Sequence, residues 1–290
     1  AELVIVQDAY FPTETTRYAH IVLPAAVNFE QDGTFCNSER RVTLMQQVVQ
    51  PPGDAMPDWW WVKQVAAAMA FTVGLKHETA AQIFDEFART TGGRPNDQSA
   101  LHHELLRVKG PQQWPYPAMG RSSSRRYDAG VFPTPSGKAR FWARPYEADG
   151  DPESADFPLV LNTGRVLNQW HTRTKSGNVE QLNKLDPAPY IQMHPDDAAQ
   201  SNVREGQRVR VCSSRGECVG VVRIEASAVR GSVFVPIHWN DLYAALASPN
   251  ETTTPQADPI SRQPALKFCR VRIESVRENV SFDPARLIGS

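Results

Sequence analysis

The sequence predicts an α/β N-terminal part followed by a mostly-β barrel domain, and three observations carry that expectation. Near the start, two short apolar runs flank a helical turn, as in the opening of a βαβ unit. Between residues 58 and 108 the apolar and aromatic side chains recur at helical spacing. After residue 157 the pattern changes to short Val-, Ile- and Leu-rich runs separated by turn residues, as expected of a compact β unit. These shifts divide the chain into the C-terminal part of an α/β domain (1–110), a Pro-rich extended linker (111–152), the barrel domain (153–280) and a tail (281–290).

Taken in order, Leu3–Val6 is expected as a strand, Thr13–Tyr18 as a helical turn and Ile21–Leu23 as a second strand. The first strand reads as one entered in mid-domain. Asp8 then falls just past a strand's carboxyl end, where open α/β sheets bind ligands, although an Asp there also serves as an ordinary turn or cap residue. Helices are expected to dominate next. Asp58–Phe71 carries Trp60, Trp61, Val65 and Met69, Ala80–Arg89 carries Ile83, Phe84 and Phe87, and Ser99–Val108 stops before Gly110. The Trp59-Trp60-Trp61 cluster predicts core or interface packing, because aromatic stripes bury area before they bind cofactors. Pro111–Pro145 is rich in Pro, Ser, Gly and Arg and is expected to be extended. Its Trp114, Tyr116 and Phe132 suggest a strap across a surface, and the basic run Arg121–Arg126 reads as a solvated loop, with a phosphate patch as the alternative.

The strands expected beyond are Leu159–Leu161, Tyr190–Met193, Val209–Ser213, Cys218–Ile224, Ser232–Pro236 and Phe268–Ile273. His194 to Ala199 reads as a helix start, with Pro at its first turn and acids near its positive end.

Composition bounds function broadly. The chain has 290 residues, 41% hydrophobic and 22% charged, enough for a sizeable core and two domains. A net charge of −1 argues against general binding to nucleic acid or membrane surfaces. No apolar run approaches the roughly 18–20 residues of a membrane helix, and no signal peptide opens the sequence. The four cysteines lack CxxC spacing and suggest a reduced, cytoplasmic chain. Cys212 and Cys218 flank a hairpin turn and are open to two readings, inert packing or a redox pair. The histidines form no HxxxH pair, so no metal site is expected.

The most informative segment is Thr163 to Thr172, TGRVLNQWHT. Through Lys175 it holds Arg165, His171, Arg173 and Lys175 and no acid, a local anion site on a chain without cationic bias. It is expected to leave a sheet edge as a Gly-Arg turn. Gly164 permits close backbone approach, Arg165 offers a bidentate fork for phosphate, Trp170 a flat apolar face, and Gln169, His171 and Thr172 further polar groups. That set suits a phosphorylated, planar ligand; the alternative is a solvated basic loop around a buried Trp.

The order of Gly-Arg, Trp-His-Thr and a downstream Ser-Gly resembles the dinucleotide-binding C-terminal domain of the bis-molybdopterin guanine dinucleotide oxidoreductases, the DMSO reductase family. Within it, QWHTRTKSG from Gln169 and VFVPIHWND from Val233 are similar to bacterial assimilatory nitrate reductase catalytic subunits. DPISRQPALKFCRVRI from Asp258 resembles the family's closing motif, and the run Gln7–Arg41 the end of its third domain.

The resemblance implies a double-psi barrel, a molybdenum bis(molybdopterin guanine dinucleotide) cofactor and a 4Fe–4S centre in an upstream part. It also implies reduction of nitrate to nitrite by oxygen-atom transfer, with the remainder of the catalytic subunit and an electron-donor protein or domain as partners. Thr163, Gly164, Arg165, Gln169, Trp170, His171 and Thr172 fall on the family's phosphate-and-pterin loop, and Lys267 on its cofactor-contacting lysine. Asn250, eight residues before Asp258, falls on a cofactor-binding Asn in a less apolar context than usual. Asp8 falls on an acid that contacts guanine, chemically sensible because a carboxylate accepts from both N1–H and N2–H₂. The family's molybdenum-ligating cysteine and cluster cysteines have no counterpart here, so the chain is expected to be the cofactor-binding C-terminal portion of a larger enzyme, inactive alone. A formate dehydrogenase fragment and a stand-alone nucleotide-binding module are the alternatives.

Overall fold

The computed structural model describes residues 1–71, 73–119, 125–143, 145 and 151–276. They fall into two compact units, Ala1–Phe11 with Tyr18–Arg144, and Pro12–Arg17 with Pro145–Ser290. The expected tail and residues 121–124 of the basic run lie outside the described residues.

In the first unit, β1 (Ile5–Asp8) and β2 (Ile21–Pro24) pair in parallel, Ile5 opposite Ile21 and Asp8 opposite Pro24. β1 lies two residues later than its apolar run suggests, because the ladder to β2 continues through Gln7 and Asp8. Asp8 is therefore the last residue of the strand rather than the first one past it. β3 (Gly33–Cys36), β4 (Arg41–Met45) and the two-residue β5 (Gln112–Gln113) form an antiparallel sheet. This sheet is an addition to the expected picture, in which helices dominate after β2. Its strands are too short and too exposed to show period-2 alternation.

Helices α1 (Asp58–Ala68), α2 (Ala80–Thr90) and α3 (His103–Lys109) form near their expected places. α3 starts later than expected. Asp97 Oδ1 accepts from Ser99 N and Ser99 Oγ at 2.8 and 2.6 Å, which diverts 97–99 into a turn, and His102 Nδ1 caps the helix at Leu105 N. Gly110, at φ 74°, ends it in the left-handed region. α2 and α3 face a core of Val42, Phe84, Ala88, Leu101 and Leu106, against which Trp114 and Tyr116 pack. Of the expected strap's aromatics, Trp114 and Tyr116 thus lie on this surface, whereas Phe132 stacks on Tyr127 with ring centroids 4.9 Å apart. The tryptophans of α1 stay half-buried and outside that core, and Trp61 Nε1 donates to the Pro24 carbonyl at 2.7 Å.

The second unit contains a closed six-stranded barrel. Its strands are β6 (Leu159–Gly164), β7 (Tyr190–Met193), β8 (Arg208–Cys212), β9 (Glu217–Ile224), β10 (Ser232–Pro236) and β11 (Lys267–Ser275), ordered β10-β6-β11-β8-β9-β7. Leu161, Ile191, Met193, Val209, Val211, Val233, Cys269 and Val271 fill it and are almost fully buried, each side chain contributing about 1.5–3 kcal/mol. Helices α4 (Glu180–Leu185) and α5 (Pro195–Gln200) lie between strands, α5 with Pro and acids in its first turn, as the sequence suggests, and with the His194 ring accepting from Asp196 N, which the sequence does not announce. Cys212 pairs with Glu217 and Val211 with Cys218, so the two cysteines are diagonal. Both are free, and burial pushes the Cys218 thiol up to about 12, which favours inert packing.

Strand directions decide where function can sit. β6 and β8 run antiparallel to β11, and β10 runs parallel to β6. The segments that follow β6, β8 and β10, and the one that enters β11, therefore all emerge at one end of the barrel.

Candidate cofactor-binding end of the barrel

β6 continues past its apolar run through Asn162, Thr163 and Gly164, so Thr163 and Gly164 are strand residues and not a turn leaving a sheet edge. Thr163 is 2% exposed, and its hydroxyl donates to the Leu266 carbonyl at 3.1 Å, tying β6 to the start of β11. At Gly164 an added Cβ would sit 2.6 Å from the Phe234 ring. The space this glycine leaves open is filled by the chain's own Phe234.

Beyond β6 the loop is cross-braced. Val166 N donates to His238 Nε2 at 2.8 Å, Asn168 N to Asp186 at 3.3 Å and Trp170 N to Ser176 Oγ at 2.9 Å. His238 Nδ1 donates to the His171 carbonyl at 2.6 Å. His171 and Arg173 hold φ values of 38° and 65°, in the left-handed region that non-glycine residues enter at a cost.

The bracing sorts the loop's side chains. Gln169 turns inward, 5% exposed, accepting from Ser176 Oγ at 2.8 Å and donating to the Leu182 carbonyl at 3.3 Å, so its amide is committed to holding the loop. Arg173, 1% exposed, lies between the Trp239 and Tyr243 rings, 5.0 and 4.6 Å from their centroids, and its Nη2 donates to Asn183 Oδ1 at 2.6 Å. Arg165, Trp170, His171 and Thr172 stay exposed. The Arg165 guanidinium is 6.0 Å from the Trp170 ring centroid, and the His171 ring meets Trp170 edge-on at 4.6 Å.

Lys267 opens β11 opposite Asn162, and its Nζ donates to Asn162 Oδ1 at 3.0 Å. Partial burial lowers its pKa. Among the described residues no carboxylate lies within ion-pair reach of Lys267 or Arg165. A partly desolvated ammonium whose partner is a neutral amide is electrostatically suited to an added anion.

Asn250 is exposed on the 3-10 turn Pro249–Thr252. That turn rests on the β8–β9 hairpin, where an added Cβ at Gly216 would meet the Glu251 carbonyl at 2.5 Å and Arg215 Nη2 donates to the Thr252 carbonyl at 3.0 Å. Asp8 belongs to the other unit, where its carboxylate accepts from Tyr10 N at 2.9 Å. Thr163, Gly164 and Gln169 thus form a frame at the end of β6, with Arg165, Trp170, His171, Thr172 and Lys267 exposed around it, while Asn250 lies on the turn beside the β8–β9 hairpin. Sequence reasoning missed His238, Trp239, Tyr243 and Asn183, which hold that frame. VFVPIHWND contains the first two, but nothing in the string says which of its side chains is buried.

Two cations without a carboxylate partner among the described residues, a hydroxyl and an exposed indole make a set chemically suited to a phosphorylated, planar ligand. The comparisons agree. The Molydopterin dinucleotide binding domain family matches residues 159–270 and the Molybdopterin oxidoreductase family residues 1–68. The chain is 38% identical to a nitrate reductase of Synechocystis over 93% of its own length, and 31% identical to the assimilatory nitrate reductase catalytic subunit of Bacillus subtilis over 91%. It is 32% identical to an F420-dependent formate dehydrogenase subunit alpha of Methanocaldococcus jannaschii over 95%. The chain spans 38%, 37% and 39% of these three proteins. The fold matches acetylene hydratase from Pelobacter acetylenicus with a TM-score of 0.74 at 17% identity, over 95% of this chain and 40% of that one.

The chain belongs to the molybdopterin oxidoreductases of the DMSO reductase family. Its cofactor is accordingly a molybdenum bis(molybdopterin guanine dinucleotide), and the donor set at the barrel's end fits such a group. Among the described residues no helix is long and apolar enough to cross a membrane.

Proposed function

We propose that this chain is the cofactor-binding C-terminal portion of a nitrate reductase catalytic subunit and that the loop after β6, with Lys267, grips one dinucleotide of the cofactor. The observation that carries the proposal is the pairing of exposed Arg165 and Trp170 on a braced loop at the same barrel end as Lys267. Arg165 and Lys267 neutralise phosphate charge, Trp170 offers a flat face, and Thr172 and His171 donate to polar edges. Asn250 is proposed as a further contact on the barrel, and Asp8 of the first unit is proposed separately as an acceptor for guanine. Gln169, Thr163 and Gly164 act by holding the loop in shape.

The barrel is proposed to be a double-psi barrel, a reading supported by its two parallel pairs, β6 with β10 and β7 with β9. We retain 1–110, 111–152, 153–280 and 281–290 as proposed domain, linker, barrel and tail. When bound, the group supplies molybdenum redox chemistry, by which nitrate takes up two electrons and two protons and leaves as nitrite and water. This chain's residues bind and orient. The electrons are proposed to come from a donor through a 4Fe–4S centre in the rest of the subunit, in the cytoplasm. Formate oxidation is the second reading, favoured by the formate dehydrogenase relative at 32% identity; the nitrate reductase relative at 38% supports the first.

Arg165→Ala in the complete enzyme is expected to lower molybdenum and guanine nucleotide content while leaving the fold intact. Wild-type content in the purified variant would remove Arg165 from the site.

A further inference from the structure

His238 is fully buried, 0% exposed, yet makes two hydrogen bonds that ask opposite things of its ring. A backbone N–H, that of Val166, points at Nε2 from 2.8 Å, so Nε2 must be an unprotonated acceptor. A backbone carbonyl, that of His171, lies 2.6 Å from Nδ1, and a carbonyl only accepts, so Nδ1 carries the proton. One imidazole thus spans the loop from residue 166 to residue 171, and both anchors are main-chain atoms. The bond at His171 falls where the backbone takes φ 38°, next to Trp170 and Thr172. Trp239, the next residue, stacks on Arg173 and holds the loop's far end.

We infer that His238 is a positioning residue, a neutral imidazole held as its Nδ1–H tautomer, which sets the loop shape in which Trp170, His171 and Thr172 meet the dinucleotide. The inference rests on the proposed cofactor-binding role of that loop. It also gives the loop a pH sensitivity. A protonated ring would turn Nε2 from acceptor into donor against the Val166 N–H, leaving two donors facing each other. The titratable and charged groups acting on the ring are Asp186, which favours protonation, and Arg173 and His171, which oppose it, while burial opposes it most strongly and holds the pKa below the ordinary histidine value.

The test uses the full 290-residue chain and the cofactor-loaded enzyme that contains it. In the chain, ¹⁵N-histidine NMR at neutral pH is expected to show one histidine with Nδ1 protonated and Nε2 bare, and that signal should vanish in His238→Gln. His238→Leu keeps the ring's approximate volume and loses both bonds. Tryptic cleavage after Arg165 should then accelerate about tenfold, since two buried main-chain groups lose their partner. His238→Gln, whose amide oxygen can still accept from Val166, should fall between Leu and wild type.

In the loaded enzyme, wild type should hold molybdenum and guanine nucleotide at the ordinary histidine pKa of about 6.5 and shed them only as pH falls further, through the lowered pKa of His238, and the Gln variant should lose that dependence. The opposite tautomer, or a loop equally resistant in His238→Leu, overturns the inference whatever the cofactor content. A loop that opens in His238→Leu with molybdenum content unchanged supports His238 as the strap and removes the loop from the cofactor site instead.

Discussion

Arg173 and Tyr243 hold each other at both ends. The Arg173 guanidinium lies 4.6 Å from the Tyr243 ring centroid, and the Tyr243 hydroxyl donates to the Arg173 carbonyl at 2.8 Å. Buried guanidinium charge is costly, and burial lowers the Arg173 pKa. Among the described residues Nε and Nη1 have no hydrogen-bond partner, and the faces of Tyr243 and Trp239 supply the compensation, a cation over π systems. Tyr243→Phe keeps the ring and deletes the main-chain bond, which should cost about 1 kcal/mol. Chemical denaturation checks this, and an unchanged midpoint would mean that the hydroxyl contributes nothing.

Gly177 lies under the same tyrosine. A Cβ there would stand 2.7 Å from the Tyr243 ring and 2.8 Å from its hydroxyl. Gly177→Ala must therefore push Tyr243 off Arg173, and a loss of about 1–3 kcal/mol is expected from overpacking. Near-ultraviolet circular dichroism should change with it.

Asp151 clamps the β8–β9 hairpin to β11. Its carboxylate takes both Arg215 Nη1 and Nη2, at 2.8 and 2.6 Å, and also accepts from Arg270 N at 2.9 Å. The Arg215 guanidinium holds the carboxyl below its usual range. With the folded pKa depressed, this stabilisation is complete above the ordinary carboxylate value of about 3.9 and is lost as pH falls through the folded one. Asp151→Asn should cost about 1.5–3 kcal/mol at pH 7, as for a hydrogen bond to a charged group. The gap to wild type should narrow under strong acid, and unfolding curves at neutral and acidic pH would show whether it does.

Gly216 offers a test of Asn250 that leaves Asn250 itself intact. Gly216→Ala drives a methyl group into the Glu251 carbonyl, only 2.5 Å away, and displaces the turn that carries Asn250. If Asn250 contacts the cofactor as proposed, the variant enzyme should lose guanine nucleotide beyond what its reduced stability explains. Equal content at a temperature where both proteins are folded would remove Asn250 from the site.

Trp170 is 53% exposed, so truncation leaves little cavity. Trp170→Ala should change thermal stability by no more than about 0.5 kcal/mol, as for a surface substitution. Turnover per bound molybdenum should nevertheless drop, because a loosened ligand loses orientation. A large stability loss with turnover per molybdenum unchanged would instead make Trp170 a packing residue.

The sequence by itself determined the class of chain, the places of the barrel strands and the segment proposed to carry the site. Apolar alternation located Tyr190–Met193 and Ser232–Pro236 to the residue because strands buried on one face must repeat with period two. Local chemistry likewise announced α5, whose Pro and first-turn acids are near neighbours in sequence. Tertiary structure decided what each loop residue does. Gln169, Trp170 and Arg173 are all large polar or amphipathic side chains within five positions, and no local pattern says that Gln169 and Arg173 turn inward while Trp170 stays out. That choice was made by Asn183, His238, Trp239 and Tyr243, 10 to 70 residues away in sequence, whose rings and amide the closed barrel brings against the loop. The same holds at Gly164. A glycine there invites a ligand, but parallel pairing of β6 with β10 fills its space with Phe234, because the barrel's register sets which side chain stands beside it.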